Sequence, residues 1–110
     1  MSLPGASDLL DHMREAVTQS LVYVEGREKA DFLDDKRTQQ AVILNLIILG
    51  EAATKLMDNY PDVTAAHPEI EWRSIRGMRN RIAHGYYDID LDVVWETVRS
   101  ALPDLVARLG

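Results

Sequence analysis

Apolar residues recur along three stretches of this chain at steps of three and four, the period of an amphipathic helix, and crowd all sides of a fourth. Leu10, Met13, Val17, Leu21 and Val24 trace the first stripe, which predicts a helix over about residues 8–25, capped by Ser7 or Asp8 and closed near Gly26. Ile75, Met78 and Ile82 mark the buried side of a shorter helix from Trp72 to about His84, with Gly85 suited to a left-handed position just past its end. Leu91, Val94, Trp95, Val98, Leu102, Leu105 and Leu109 mark the last helix, which begins behind Asp88 or Asp90. Pro103 has no amide proton to donate, so this helix must kink or restart there. Trp95 falls on the stripe and reads as core.

The fourth stretch is different. Asp34 and Asp35 offer acceptors to the free amides of a helix that runs to about Asn59, stopped by Pro61, with Phe32 placed to staple its start. Its middle, Ala41 to Leu49, is apolar almost all round, so it must be covered on two sides. The rest of the bundle supplies one cover, and we expect a second copy of the chain to supply the other. The run is also long enough to be a buried strand, but Glu51 to Leu56, with Ala52 and Ala53, favours helix. Residues 60–70 carry Pro61 and Pro68 and read as a loop. The expectation is an all-α fold: an up-and-down bundle of four main helices with a kinked or split C-terminal helix.

At 110 residues the chain is long enough for one domain that buries about two-thirds of its unfolded surface. It has no cysteine, which removes disulfides, zinc-thiolate sites and a cysteine nucleophile. Met1 to Gly5 lack a charged region leading into an apolar stretch, and no segment reads as a membrane span, so the expected location is the cytoplasm. A formal net charge of −6 argues against a protein that coats nucleic acid, since Lys and Arg on phosphates supply most of that affinity. It leaves room for a local basic patch.

Such a patch exists. Arg73, Arg76, Arg79 and Arg81 fall within one short segment, and Arg79-Asn80-Arg81-Ile82-Ala83-His84-Gly85-Tyr86 adds an amide, an imidazole and a phenol. Arginine presents a planar fork of donors to phosphate oxygens, and histidine, with an unperturbed pKa of about 6.5, exchanges protons near neutrality. Together they suit phosphoryl chemistry without a metal. Glu51 follows the apolar run and, if buried, needs Arg76 or Arg79 as partner; otherwise it points to water. His12 and His67 read as surface residues, and the three histidines lack ligand spacing. Asp88, Asp90 and Asp92 read as capping.

On an ideal helix Arg79 and His84 lie about 140° apart, whereas Asn80 and His84 share a face. Two routes bring guanidinium and imidazole together: the helix ends before His84, or the site is composite across a two-fold axis. Tyr86 should be partly exposed at the cleft mouth, and Tyr87 is the stricter core candidate. Gly77 marks either a close packing point or simple tolerance.

These residues carry a resemblance. Arg79, His84 and Tyr86 match the R-x4-H-x-Y motif of the HEPN superfamily, and Ile48 to Ala53, Trp72-Arg73, Asp88 to Leu91, Val94-Trp95 and Leu102-Pro103 resemble its HepT-like toxin branch in order and spacing. The resemblance implies a metal-independent endoribonuclease, the toxin of a toxin–antitoxin pair, with no cofactor and an RNA substrate. On the residues' own chemistry we expect His84 to act as general acid or base, Arg79 to stabilise the transition state and Asn80 to orient one of them, with the basic patch of Arg73, Arg76 and Arg81 near the substrate. The resemblance also implies a partner, a minimal nucleotidyltransferase that blocks the toxin by attaching AMP to Tyr86. The residue types alone suit phosphodiester chemistry in general; RNA is what the resemblance adds. A non-catalytic helical module that binds a nucleotide, or docks the nucleotidyltransferase, is the competing reading.

Overall fold

In the computed structural model, which describes residues 4–110, every apolar stripe becomes a helix and there is no strand among the described residues. The reading of the N-terminus rests partly on residues 1–3, which lie outside the described residues.

Helix α1 spans Ala6–Val24. Its N-cap is Gly5, with extended backbone and no side-chain cap, so Ser7 and Asp8 lie inside the first turn instead of ahead of it. Asp8 still sits where a carboxylate favours the helix dipole. The helix closes as expected at Gly26, whose φ of 72° is a left-handed value that glycine adopts without strain. A short helix α2, Lys29–Leu33, follows; Asp31 accepts from the Glu28 amide at 3.0 Å. It buries Phe32 completely, with its ring 5.4 Å from that of Trp95. Phe32 is thus a core residue and not a staple, and α2 is an element that the apolar pattern does not show.

Helix α3 spans Lys36–Asn59 and begins at Asp35, whose carboxylate accepts from the Thr38 amide at 3.2 Å and the Thr38 hydroxyl at 2.7 Å. Those two donors, with Arg27 adding its charge, hold the Asp35 carboxyl below the usual carboxylate range. α3 is the spine of the bundle: α1 packs along it on one side and α5 on another. Val42, Leu46, Leu49, Ala53 and Leu56 are at most 1 % exposed. Truncating such a leucine to alanine costs about 2–5 kcal/mol. Leu44 and Ile48, one turn apart, remain 57 % and 39 % exposed, so part of the apolar circumference is uncovered. Contrary to the sequence reading, α3 is long and apolar enough to cross a bilayer; its packing against α1 and α5 accounts for that apolarity as core.

The expected loop contains a one-turn helix α4, Pro61–Ala65, with Pro61 in its first turn where no amide donor is needed. The Trp72 indole donates to the His67 carbonyl at 3.0 Å and Arg108 donates to the Glu69 carbonyl at 2.7 Å, tying this connection to the helices beside it. Helix α5 runs Trp72–His84 and buries Trp72, Ile75 and Ile82. A 3-10 turn, Tyr86–Asp88, leads into α6, Leu91–Glu96, where Asp90 caps by accepting from the Asp92 and Val93 amides. The C-terminal stripe continues through a widened π turn, Thr97–Ala101, into α7, Leu102–Leu109. Pro103 itself sits in the first turn of α7, and the irregularity falls one turn upstream, where the missing amide leaves carbonyls without their usual donors. Trp95 is buried, with the Arg99 guanidinium 5.4 Å from its ring centre.

Candidate functional site

The site is built on α5. At 100° per residue, Arg73, Gly77, Asn80 and His84 fall within about 60° of one another and form one stripe, with Arg76 beside it, Arg79 on one flank and Arg81 on the other. Arg73, Asn80 and His84 are exposed, whereas Arg76 and Arg79 are half-buried against α3.

Arg79 is the most constrained of the cations. Its Nη1 lies 3.2 Å from Glu51 Oε1, and its Nη2 donates to Thr54 Oγ1 at 3.1 Å. Its Nε is buried with no hydrogen-bond partner, so the two terminal nitrogens are its only handles. Arg76 donates from Nη2 to Asp58 Oδ1 at 2.6 Å and to the Thr54 carbonyl at 3.4 Å. Glu51 therefore finds Arg79 as partner, and at 49 % side-chain exposure it also meets water.

This pairing depends on how closely α3 and α5 approach. A Cβ built on Gly50 would overlap the Arg79 Cβ and lie 2.7 Å from its Cγ, so only glycine lets the stem of Arg79 cross α3 here. At Gly77 the same construction meets only the flexible end of Arg81, at 3.4 Å. The close packing point is Gly50 and not Gly77. A glycine inside an otherwise strong apolar helix is the one signal that marks it in the sequence; Thr54 carries no such signal.

Arg81 is not brought to this face. It lines two grooves on the other side of α5, of about 370 and 300 Å³, with Met78, Val93 and Thr97. The larger is mainly apolar and holds none of Arg73, Arg76, Arg79, Asn80, His84 or Tyr86.

His84 is the last residue of α5, and the helix continues through it. The first route, a helix ending before His84, is therefore not taken, and the imidazole stays about 140° around the axis from Arg79. Asn80 and His84 share a face, with no hydrogen bond between them among the described residues. Gly85 has φ −129°, a negative value and not the expected left-handed one. Tyr86 is 50 % exposed, in line with the expected partial exposure. Tyr87, expected in the core, is 99 % exposed. The 3-10 turn after Gly85 swings it outward, and Ile89 packs against the core in its place. The two phenol rings meet edge to face at 6.1 Å.

The remaining polar candidates resolve into structural roles. Asp90 caps α6 and Asp92 pairs with Lys29 at 3.0 Å, which raises the Lys29 pKa. His12 is exposed and His67 sits 3.3 Å from Glu69.

The ribonuclease HepT-like family profile matches residues 13–109. The chain is 37% identical over 101 residues to "Probable ribonuclease HepT" of Thermococcus cleftensis, covering 92% of this chain and 89% of that one. It is 28% identical over 104 residues to a Methanocaldococcus jannaschii protein named as a candidate RNase, MJ0127, covering 93% and 78%. It is also 28% identical over 96 residues to one from Caldanaerobacter subterraneus, TTE0752, similarly named, covering 87% and 83%. No solved structure matches the chain at a significant level.

Proposed function

The chain belongs to the HepT-like ribonuclease family, and on that premise we propose that it is a metal-independent endoribonuclease, the toxin of a toxin–antitoxin pair. The observation that carries this is the division of labour on α5: the Arg79 guanidinium is held on the α3 edge while the His84 imidazole stays free on the open face.

In the proposed reaction the ribose 2'-oxygen attacks the adjacent phosphorus and loses its proton to a base. The P–O5' bond breaks, the 5'-oxygen takes up a proton, and a 2',3'-cyclic phosphate and a free 5'-hydroxyl remain. His84 moves a proton as general base or general acid, and Arg79 neutralises the charge that builds on the phosphoryl oxygens. Asn80 orients one of them, and Arg73 and Arg76 are the further cations offered to RNA on this side of α5, whereas Arg81 lies on the other side and is set aside.

Because Arg79 and His84 do not share a face of one helix, we place the working site across a two-fold axis, where Arg79 of one protomer meets His84 of its partner. The uncovered Leu44 and Ile48 on α3 support a second copy as the missing cover. Tyr86 is the proposed acceptor of AMP from a minimal nucleotidyltransferase acting as antitoxin. Its oxygen would displace pyrophosphate from the α-phosphorus of ATP, and the added phosphate would repel an RNA backbone at the cleft mouth. The cytoplasm is the compartment that suits such a pair.

The test is incubation of RNA in excess chelator with wild type, His84→Ala and Arg79→Ala. Wild type should cleave to cyclic-phosphate ends and both variants should lose at least about a hundredfold in rate. Cleavage that survives both substitutions equally would remove the residue assignment. Failure of wild type to cleave would favour the binding module.

A further inference from the structure

A guanidinium that stabilises a transition state must be aimed as well as present, and we propose that Thr54 of α3 is the positioning residue that aims Arg79. This rests on the ribonuclease reading above and adds to it a residue that neither the motif nor the basic patch contains.

The two terminal nitrogens of Arg79 are engaged by side chains three residues apart on α3: Nη1 by Glu51 at 3.2 Å and Nη2 by Thr54 Oγ1 at 3.1 Å. One contact would leave the fork free to turn about it; two fix its plane. The contacts are unequal. Glu51 is half-exposed, and an ion pair in that setting is weak and easily exchanged for water. Thr54 is half-buried, and a β-branched side chain in a helix is stiff at χ1, so its oxygen is a fixed point.

The Thr54 hydroxyl is also free for this role. Ser20 and Thr97 fold their hydroxyls back onto the carbonyl four residues earlier, at 2.9 and 2.8 Å, whereas Thr54 makes no such bond and accepts from Arg79. Its carbonyl accepts from Arg76 at 3.4 Å, so one residue of α3 receives both α3-facing arginines. Gly50, one turn earlier, leaves the room that lets Arg79 reach it. With Nε buried, one N–H of Nη2 donated to Thr54 and Nη1 held only by the Glu51 ion pair, the terminal nitrogens keep N–H groups to offer a phosphate. Its direction is then set by Thr54.

Thr54→Val keeps the shape and removes the acceptor; Thr54→Ser keeps the acceptor. We expect Thr54→Val to lower kcat on RNA by about 10-fold to 100-fold with KM little changed, because misaiming by a fraction of an ångström acts in the transition state. Thr54→Ser should recover most of that loss. A second readout needs no RNA: in 15N NMR of the intact protein, the Arg79 terminal nitrogens should give separate signals in wild type and Thr54→Ser, and one averaged signal in Thr54→Val. Wild-type kcat in Thr54→Val, or equal loss in Val and Ser, would overturn the proposal. If wild type cleaves no RNA, the ribonuclease reading fails on its own, and the NMR comparison still decides whether Thr54 orders Arg79; identical spectra in all three proteins would sink it.

Discussion

Replacing Gly50 by alanine adds one methyl group at the point where the stem of Arg79 crosses α3. That methyl would overlap the Arg79 Cβ and stand 2.7 Å from its Cγ. Carbon atoms pack comfortably at about 3.5–4.0 Å, so α3 and α5 must part by about 1 Å at the crossing. A gap of that size forfeits a quarter to a half of each dispersion contact across it. Overpacking of this kind costs about 1–3 kcal/mol, and alanine returns about 1 kcal/mol of helix propensity. Because the clashing atoms belong to the stem and cannot swing away, we expect a net loss of about 1–2 kcal/mol, or about 4–8 °C in Tm for a chain of this size. Gly77→Ala is the matched control. Its methyl meets only the flexible tip of Arg81, so the propensity gain survives and Tm should rise by about 4 °C. The assay is thermal unfolding by circular dichroism at two protein concentrations, which separates folding from association. Gly50→Ala melting at or above wild type would refute the close crossing and the account of Arg79 built on it.

Three further outcomes follow. Asp35 is held below the usual carboxylate range by Thr38, so its contribution is complete above its unfolded pKa of about 3.9 and is lost as pH falls through the lower folded value; Asp35→Ala should lower Tm at pH 7, with the gap to wild type closing towards pH 3, and a gap independent of pH would contradict the cap. Leu44→Glu puts a charge on the uncovered side of α3 and should convert the proposed dimer to a monomer in sedimentation equilibrium while leaving the helical signal intact; an unchanged mass would remove that side from the proposed interface. With the proposed nucleotidyltransferase partner and ATP, mass spectrometry should find one AMP on wild type and on Tyr87→Phe, and none on Tyr86→Phe; modification lost in Tyr87→Phe would move the acceptor to the more exposed neighbour.

The four main helices were legible because burial on one side leaves a periodic trace over three or more turns. Where an element is shorter than that trace, it vanishes: α2 is five residues long, and Phe32, its buried anchor, reads as a flanking staple. Tyr87 departs from its expected core position because a 3-10 turn has a different period from the helix before it, so burial does not extrapolate past Gly85. The geometry of the candidate site was half legible. Arg79, Asn80, His84 and Tyr86 are adjacent in the chain and declare themselves, and the Glu51 partnership follows from one carboxylate near an apolar run. Thr54 is 25 residues from Arg79, and nothing local to it reports that a guanidinium will arrive from another helix.

On the proposed ribonuclease reading, the charges of α5 explain how an acidic chain could act on a polyanion without coating it. Of its four arginines, Arg76 faces Asp58 and Arg79 faces Glu51, while Arg73 and Arg81 have no ion-pair partner among the described residues. At the proposed site a bound phosphate backbone would release few counterions, so its affinity for a long polyanion should stay low. An arriving phosphate meets an arginine already paired. Glu51, half-exposed, can turn to water for about 0.2–1 kcal/mol, the usual worth of such a pair. Thr54 is neutral and gives up nothing when the phosphate comes, so it can keep its bond to Nη2 throughout. On the proposed reading, a carboxylate that yields beside a hydroxyl that stays would let the charge of Arg79 pass to the substrate without losing its direction.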